Sequence, residues 1–289
     1  MSDASRVIAF QGAPGAYSHQ ACADAFPDLD VLPCSTFEAV IAAVREGRAG
    51  LAMLPVENST YGRVADIHRL LPESGLHIIG EAFVRVHIAL MAPPGTALES
   101  VRKVRAHLVL LPQSRRFLER HGIEGEAYVD SAAAAADLAA NPRPGVGVLA
   151  SELAAGIHGL DVLASNIEDE GHNTTRFLVM SPEPRPAPRG DVLTTFVFRV
   201  RNIPAALYKA MGGFATNGVN MTKLESYMVN GHFTATQFYA DIEGHPEEPA
   251  VARALDELAY FTTRIQILGT YPAHPFRREQ TSEPAEYDT

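Results

Sequence analysis

Side chains that could bind a polar substrate and move protons gather at three places in this chain. Pro55-Val56-Glu57-Asn58-Ser59-Thr60-Tyr61-Gly62 follows directly on the apolar run at residues 51–54, which reads as a buried strand. The carboxyl ends of strands are where open α/β sheets bind ligands. Glu57, Asn58, Ser59 and Thr60 would put a carboxylate, an amide and two hydroxyls at such an end. The other reading is a surface loop with a helix cap. Gly171-His172-Asn173-Thr174-Thr175-Arg176-Phe177 again mixes an amide, hydroxyls and a cation, and it leads into the apolar run at residues 177–180. An arginine there can take a carboxylate bidentately, or it is a solvated residue on a strand edge. Gly12-Ala13-Pro14-Gly15 lies between a strand and a helix. It lacks the G-x-G-x-x-G dinucleotide fingerprint. A helix start there can hold an anion through free backbone N–H groups, or the segment is only a tight turn.

The rest of the inventory excludes more than it adds. No H-E-x-x-H pattern, no Cys/His pair at zinc spacing and no G-x-S-x-G elbow occurs, so neither a metal nor a cofactor is expected. His68, His77, His87 and His107 read as surface or core histidines. Two cysteines, Cys22 and Cys34, do not make a disulfide framework. The formal net charge of -10 disfavours nucleic acid and anionic membrane surfaces as partners. No signal peptide and no apolar run of about 18 residues is visible, which points to the cytoplasm. A hydrophobic content of 46% is enough for ordinary cores.

Elements must position these groups. Residues 6–11 and 51–54 read as buried strands. A helix is expected near Ser18, and Ser35 with Glu38 forms a capping-box pattern for a second. Val64, Ile67, His68 and Leu71 give a helical stripe, and residues 76–91 read as strand with turns. Ser131 is expected to cap an alanine-rich helix, and residues 145–149 form a strand leading to a helix at Ser151. Four prolines between Ser181 and Gly190 make a stiff, extended linker. Beyond it the pattern is βαββαβ, the ferredoxin-like order, with a hairpin expected at Asn230-Gly231. The boundaries are therefore 5–181, a linker at 182–190, a second domain at 191–272 and a flexible polar tail at 273–289.

At this point the sequence resembles the prephenate dehydratases. Phe10-Gln11-Gly12-Ala13-Pro14-Gly15-Ala16-Tyr17-Ser18 looks like the family's opening motif. Pro55-Val56-Glu57-Asn58-Ser59, Asp130-Ser131, Ala150-Ser151, Asn173 and Thr175-Arg176-Phe177 follow in order and at family spacing. The likeness continues through Ile203-Pro204-Ala205-Ala206-Leu207 and Leu224-Glu225-Ser226. The resemblance implies a two-lobed, periplasmic-binding-protein-like α/β catalytic domain followed by a ferredoxin-like ACT regulatory domain. It implies conversion of prephenate to phenylpyruvate, CO2 and water, with no metal and no cofactor. It assigns the proton-donor place to Thr175, an orienting or proton-reservoir role to Glu57 and a carboxylate clamp to Arg176. Asn58, Ser59, Gln113, Asn173, Phe177, Tyr17 and Ser18 would bind substrate. Phenylalanine would bind near Ala206, Leu207, Glu225 and Ser226, and paired ACT domains imply a homodimer or homotetramer.

The sequence departs from the family pattern where Ser-His-Pro-Gln becomes Ala106-His107-Leu108-Val109 and where Glu-Ser-Arg-Pro becomes Glu225-Ser226-Tyr227-Met228. An arogenate dehydratase and a non-catalytic sensor of an aromatic amino acid are the competing readings.

Overall fold

The computed structural model describes residues 4–187, 189–228 and 235–282. Its contacts group into two compact units, one made of the chain up to Val64 with Ala82–Phe177, the other of Ala65–Glu81 with the chain from Leu178. In chain order the elements are β1 (Val7–Gln11), α1 (Tyr17–Ala25), β2 (Asp30–Cys34), α2 (Phe37–Arg45), β3 (Leu51–Asn58), β4 (Gly62–Arg63), α3 (Ala65–Leu70), β5 (His77–Arg85) and β6 (Ala89–Ala92). They continue with β7 (Lys103–His107), α4 (Leu110–Gln113), α5 (Arg115–His121), β8 (Glu124–Tyr128), α6 (Ser131–Ala140), β9 (Val146–Ala150), α7 (Glu152–His158), β10 (Asp161–Ala164) and β11 (Thr174–Ser181). After the proline-rich stretch come β12 (Val192–Val200), α8 (Ala206–Thr216), β13 (Met221–Met228), β14 (Ala235–Glu243), α9 (Pro249–Phe261), β15 (Thr262–Pro272) and α10 (Phe276–Ser282).

The first sheet runs β2-β1-β3-β11-β5 with β4 paired to β3, and the second runs β10-β6-β9-β7-β8. The chain leaves the first sheet after Arg85, builds the whole second sheet, and returns through residues 165–173 into β11. Two crossings between two α/β sheets make the expected two-lobed layout. β6 is covered on both faces: Ile88 and Leu90 belong to one apolar cluster, Ala89 and Met91 to another. That follows from the two-residue period of a strand. The loop before α1 meets the second lobe closely. A Cβ on Gly15 (φ +94°) would lie 2.6 Å from the Ala154 backbone, and the Gly15 carbonyl accepts the Ser151 hydroxyl at 2.6 Å. Only glycine fits there.

Two caps shift by one residue from expectation. Thr36, not Ser35, accepts the Ala39 N–H, and Asp130, not Ser131, accepts the Ala133 N–H. In each pair both neighbours are good caps, and which is used depends on backbone geometry that composition does not reveal. Ser151 caps α7 as expected. The described residues of 182–190 hold neither helix nor strand.

In the second unit the sheet order is β13-β14-β12-β15, antiparallel throughout, the ferredoxin-like arrangement. Phe196, Phe198, Phe238, Ala240 and Ile242 pack with Phe214, Ala254 and Leu258 of α8 and α9. On the other face His68 meets Tyr239 edge-on at 4.7 Å, and Gln266 donates to the Pro72 carbonyl at 3.0 Å. With both faces covered, β12 is almost wholly buried and not alternating. Residues 273–282 of the polar tail differ from expectation, because α10 forms and Arg277 makes two bonds to the buried Glu81 carboxylate at 2.7 and 2.8 Å. A paired charge fixed in a buried place orders a segment that its composition would leave free. The Asn230-Gly231 hairpin lies outside the described residues.

Candidate active site

Within the first unit a cavity of about 320 Å³ opens between the two sheets. One wall comes from the first sheet: Gln11 at the end of β1, Gly15 to Ser18 at the start of α1, and Asn58, Asn173 and Thr175 beside β3 and β11. The facing wall comes from His107, Val109, Leu110, Gln113, Val129 to Ala132, Ala150 and Ser151. These are strand ends and the helix starts that follow them. The first turns of α1, α4 and α6 reach this cavity, as does Ser151, the N-cap of α7. Helix first turns carry N–H groups without intrahelical acceptors and a partial positive charge.

Asn58 is the fixed point of the site. Its Oδ1 accepts the backbone N–H groups of Thr60 and Tyr61 at 3.0 and 2.9 Å. That sets the orientation of the amide, so Nδ2 must face inward. Nδ2 donates to Asn173 Oδ1 at 2.7 Å and to Thr175 Oγ1 at 3.0 Å. Asn173 in turn donates to Gln113 Oε1 at 2.5 Å. Because the Thr175 oxygen accepts from Asn58, its own proton is free to point into the cavity. The hydroxyl is thereby arranged as a donor.

Residues 8–185 match the family model described as prephenate dehydratase. The chain belongs to that family. A protein from Komagataeibacter europaeus, named as a bifunctional N-acyl-homoserine lactone acylase/prephenate dehydratase, is 52% identical over 95% of this dehydratase-family chain and 98% of its own length. A chloroplastic arogenate dehydratase/prephenate dehydratase of Arabidopsis thaliana is 37% identical over 92% of this chain and 71% of its own. Among solved structures, a prephenate dehydratase from Arthrobacter aurescens in complex with L-Phe superposes with a TM-score of 0.84 at 30% identity, covering 92% of this chain and 90% of its own.

In this family member, strand alternation divides the expected residues. Tyr17, Ser18, Asn58, Gln113, Asn173 and Thr175 line the cavity. Glu57, Ser59, Arg176 and Phe177 are not among its lining residues. Glu57 and Arg176 sit one position away from Asn58 and Thr175, so they project from the reverse face of the strands. There Arg176, 3% exposed, bonds Glu57 Oε1 at 2.8 Å. Ser59 staples backbone to backbone, accepting from Thr174 N and donating to His172 O. Phe177 is in the core at 1% exposure.

Gln11, Tyr61, His107, Asp130 and Val129 line the cavity without having been singled out for it. The available signal was their place at strand ends and helix starts. Ala106, where the family has serine, is fully buried. Burial first, and then the negative charge of Glu168, hold the Tyr17 phenol above its usual range. Cys22 is pushed up to about 12 by burial and is no nucleophile.

Of the expected effector residues, Ala206 and Leu207 open α8, while Glu225 and Ser226 lie on β13. Ala205 before them has φ +59°, unusual without glycine. Among the described residues no helix is long and apolar enough to cross a membrane.

Proposed function

We propose that this protein is a prephenate dehydratase acting in phenylalanine biosynthesis in the cytoplasm. The observation that carries the reading is the Thr175 hydroxyl, held as a donor by Asn58 at the wall of a largely apolar cavity. Prephenate loses its ring carboxylate as CO2 and its C4 hydroxyl as water, taking up one proton, and the ring becomes aromatic. The electron pair of the breaking C–C bond enters the ring as the C–O bond breaks. The barrier lies in expelling hydroxide, so a donor aimed at that oxygen is the decisive group. Threonine is a weak acid, so Thr175 stabilises the leaving oxygen by hydrogen bonding or relays a proton from water. The side-chain carboxylate of the substrate would meet the N–H groups at the helix starts around the cavity. No lysine or arginine is among its described lining residues. Glu57 and Arg176 then frame the site from behind.

The second unit is read as an ACT-type regulatory domain. Phenylalanine would bind near Ala206, Leu207, Glu225 and Ser226, and pairing of such domains would make a homodimer or homotetramer. The L-Phe complex of the Arthrobacter aurescens relative supports the effector. The deciding experiment is turnover of prephenate and, separately, of arogenate by purified protein, with and without phenylalanine. Phenylpyruvate from prephenate is expected; conversion of arogenate alone would give the plant-type substrate preference, and product from neither would end the reading.

A second reading rests on its own observation. Leu108 and Val129 are 67% and 90% exposed, each one residue past the paired His107 and Tyr128 at the ends of β7 and β8. The family pattern carries proline at Leu108 and glutamine at Val109. Val129 is a wall residue of the cavity and Leu108 lies between the wall residues His107 and Val109, which makes an apolar rim. A small dianion has no use for it, whereas the chain of an N-acyl amide would cover it. The name of the Komagataeibacter europaeus relative supports hydrolysis of such an amide by water to acid and amine. Release of fatty acid from an N-acyl-homoserine lactone, reduced in Leu108→Gln, is the expected result; no release would exclude it.

A further inference from the structure

The two stretches that join the sheets, residues 86–88 and 165–173, meet at one carboxylate. Glu168 has a side chain only 6% exposed. Its Oε2 accepts the Ile88 N–H at 2.9 Å, and its Oε1 lies 3.1 Å from His87 Nδ1. The carbonyl of the same His87 accepts the Tyr17 hydroxyl at 2.9 Å, and Tyr17 is a wall of the catalytic cavity. Around this point the stretches are laddered, with Ile167 N donating to Ile88 O at 3.0 Å and Val86 N to Asn173 O at 2.8 Å. Asn173 is the amide that accepts from Asn58. One short segment therefore anchors two residues of the same cavity wall, Tyr17 and Asn173.

We propose that Glu168 is a positioning residue for the dehydration, a clamp that fixes the two joining stretches and through them the Tyr17 hydroxyl and the Asn173 amide. The physical reason for a carboxylate is its two acceptor oxygens. Two donors from adjacent residues, Ile88 N and His87 Nδ1, converge on it, and a glutamine has one acceptor oxygen for the pair. The phenol of Tyr17 reads the same arrangement, since burial and the Glu168 charge together hold it above its usual range. Charge-assisted bonds to a buried group are stronger than neutral ones. The rate part of this inference rests on the dehydratase reading; the clamp itself does not.

The test is a double-mutant cycle with prephenate, using Glu168→Gln, Tyr17→Phe and the pair, together with hydrogen–deuterium exchange of residues 86–88 in the absence of substrate. Each single variant is expected to lower kcat/KM about ten-fold, and the pair no further than the worse single, because both act through the His87 turn. Exchange at Ile88 is expected to accelerate about ten-fold in Glu168→Gln. Losses that multiply in the pair would overturn the proposal, as would unchanged exchange. Faster exchange with unchanged kinetics would leave a structural clip and overturn the positioning role. A wild-type protein that does not turn over prephenate sinks the dehydratase reading, and exchange then decides the clamp alone. Should Glu168→Gln not fold, His87→Ala keeps the carbonyl and removes one arm. It is expected to lower kcat/KM about three-fold, and an unchanged value would overturn the proposal.

Discussion

On the cavity face beside β3 and β11 stand Asn58, Asn173 and Thr175, all neutral. On the reverse face stand Glu57 and Arg176, both charged and bonded to each other. The two sets are interleaved in sequence, yet a strand sends them to opposite sides. The difference teaches a division of labour. Neutral donors can sit in an apolar cavity at modest desolvation cost and still point protons, whereas an unpaired charge there would be expensive. The ion pair behind them links β3 to β11 and leaves neither charge without a partner. A motif that reads as one cluster of chemistry is two clusters back to back.

The sharpest way to break this comparison is Thr175→Ala. It should fold normally and lose about 10²–10³ in kcat, read by steady-state kinetics with prephenate. A near wild-type kcat would remove the cavity face from the chemistry. Asn58→Asp replaces the donating Nδ2 with an acceptor. The carboxylate would then take the Thr175 proton for itself and turn the donor away from the cavity. A loss of about 10–10² in kcat is expected, with Asn58→Ala milder because the hydroxyl is then only unguided. Equal activity in all three proteins would mean that Asn58 does not aim Thr175.

Arg176→Lys tests the other face. Lysine keeps the charge and loses the planar fork. Stability should fall by about 1–2 kcal/mol in denaturant titrations while KM stays within about two-fold. A KM raised by about ten-fold at unchanged stability would instead give Arg176 the carboxylate-clamp role that its motif implies. The smallest effect is expected for Ser59→Ala. It removes the staple between β3 and β11 and should cost about 1 kcal/mol in stability with little change in kcat.

Much of this was legible in the residues. Apolar runs located β1, β3, β12 and β15, and the βαββαβ order of the second unit follows from periodicity alone. The cavity residues Tyr17, Asn58, Gln113, Asn173 and Thr175 come from motifs whose spacing survives into the fold. What stayed hidden has physical causes. β7 (KVRAH) and β8 (EGEAY) are too polar and short to register as strands, and β8 is an edge. The reverse-face pairing of Glu57 with Arg176 joins residues 119 positions apart. Which of two adjacent caps is used depends on local backbone geometry. The helix α10 depends on Arg277 finding Glu81, 196 positions away.

The ladder bond between Ser59 N and Thr174 O, 2.9 Å long, has a consequence for the lifetime of the molecule. Asparagine followed by a small residue ages by attack of the next backbone nitrogen on the side-chain amide, which expels ammonia to form a succinimide that water opens to isoaspartate or aspartate. At Asn58-Ser59 the aspartate product would be the very variant that turns the Thr175 proton away, and both products lose the donating amide. Here the nitrogen that would attack is donated to a carbonyl, and the amide it would attack is held by Thr60 and Tyr61. The hydrogen bonds that shape the loop therefore also slow its chemical decay. Unfolding, which releases both groups at once, becomes the event that starts the clock.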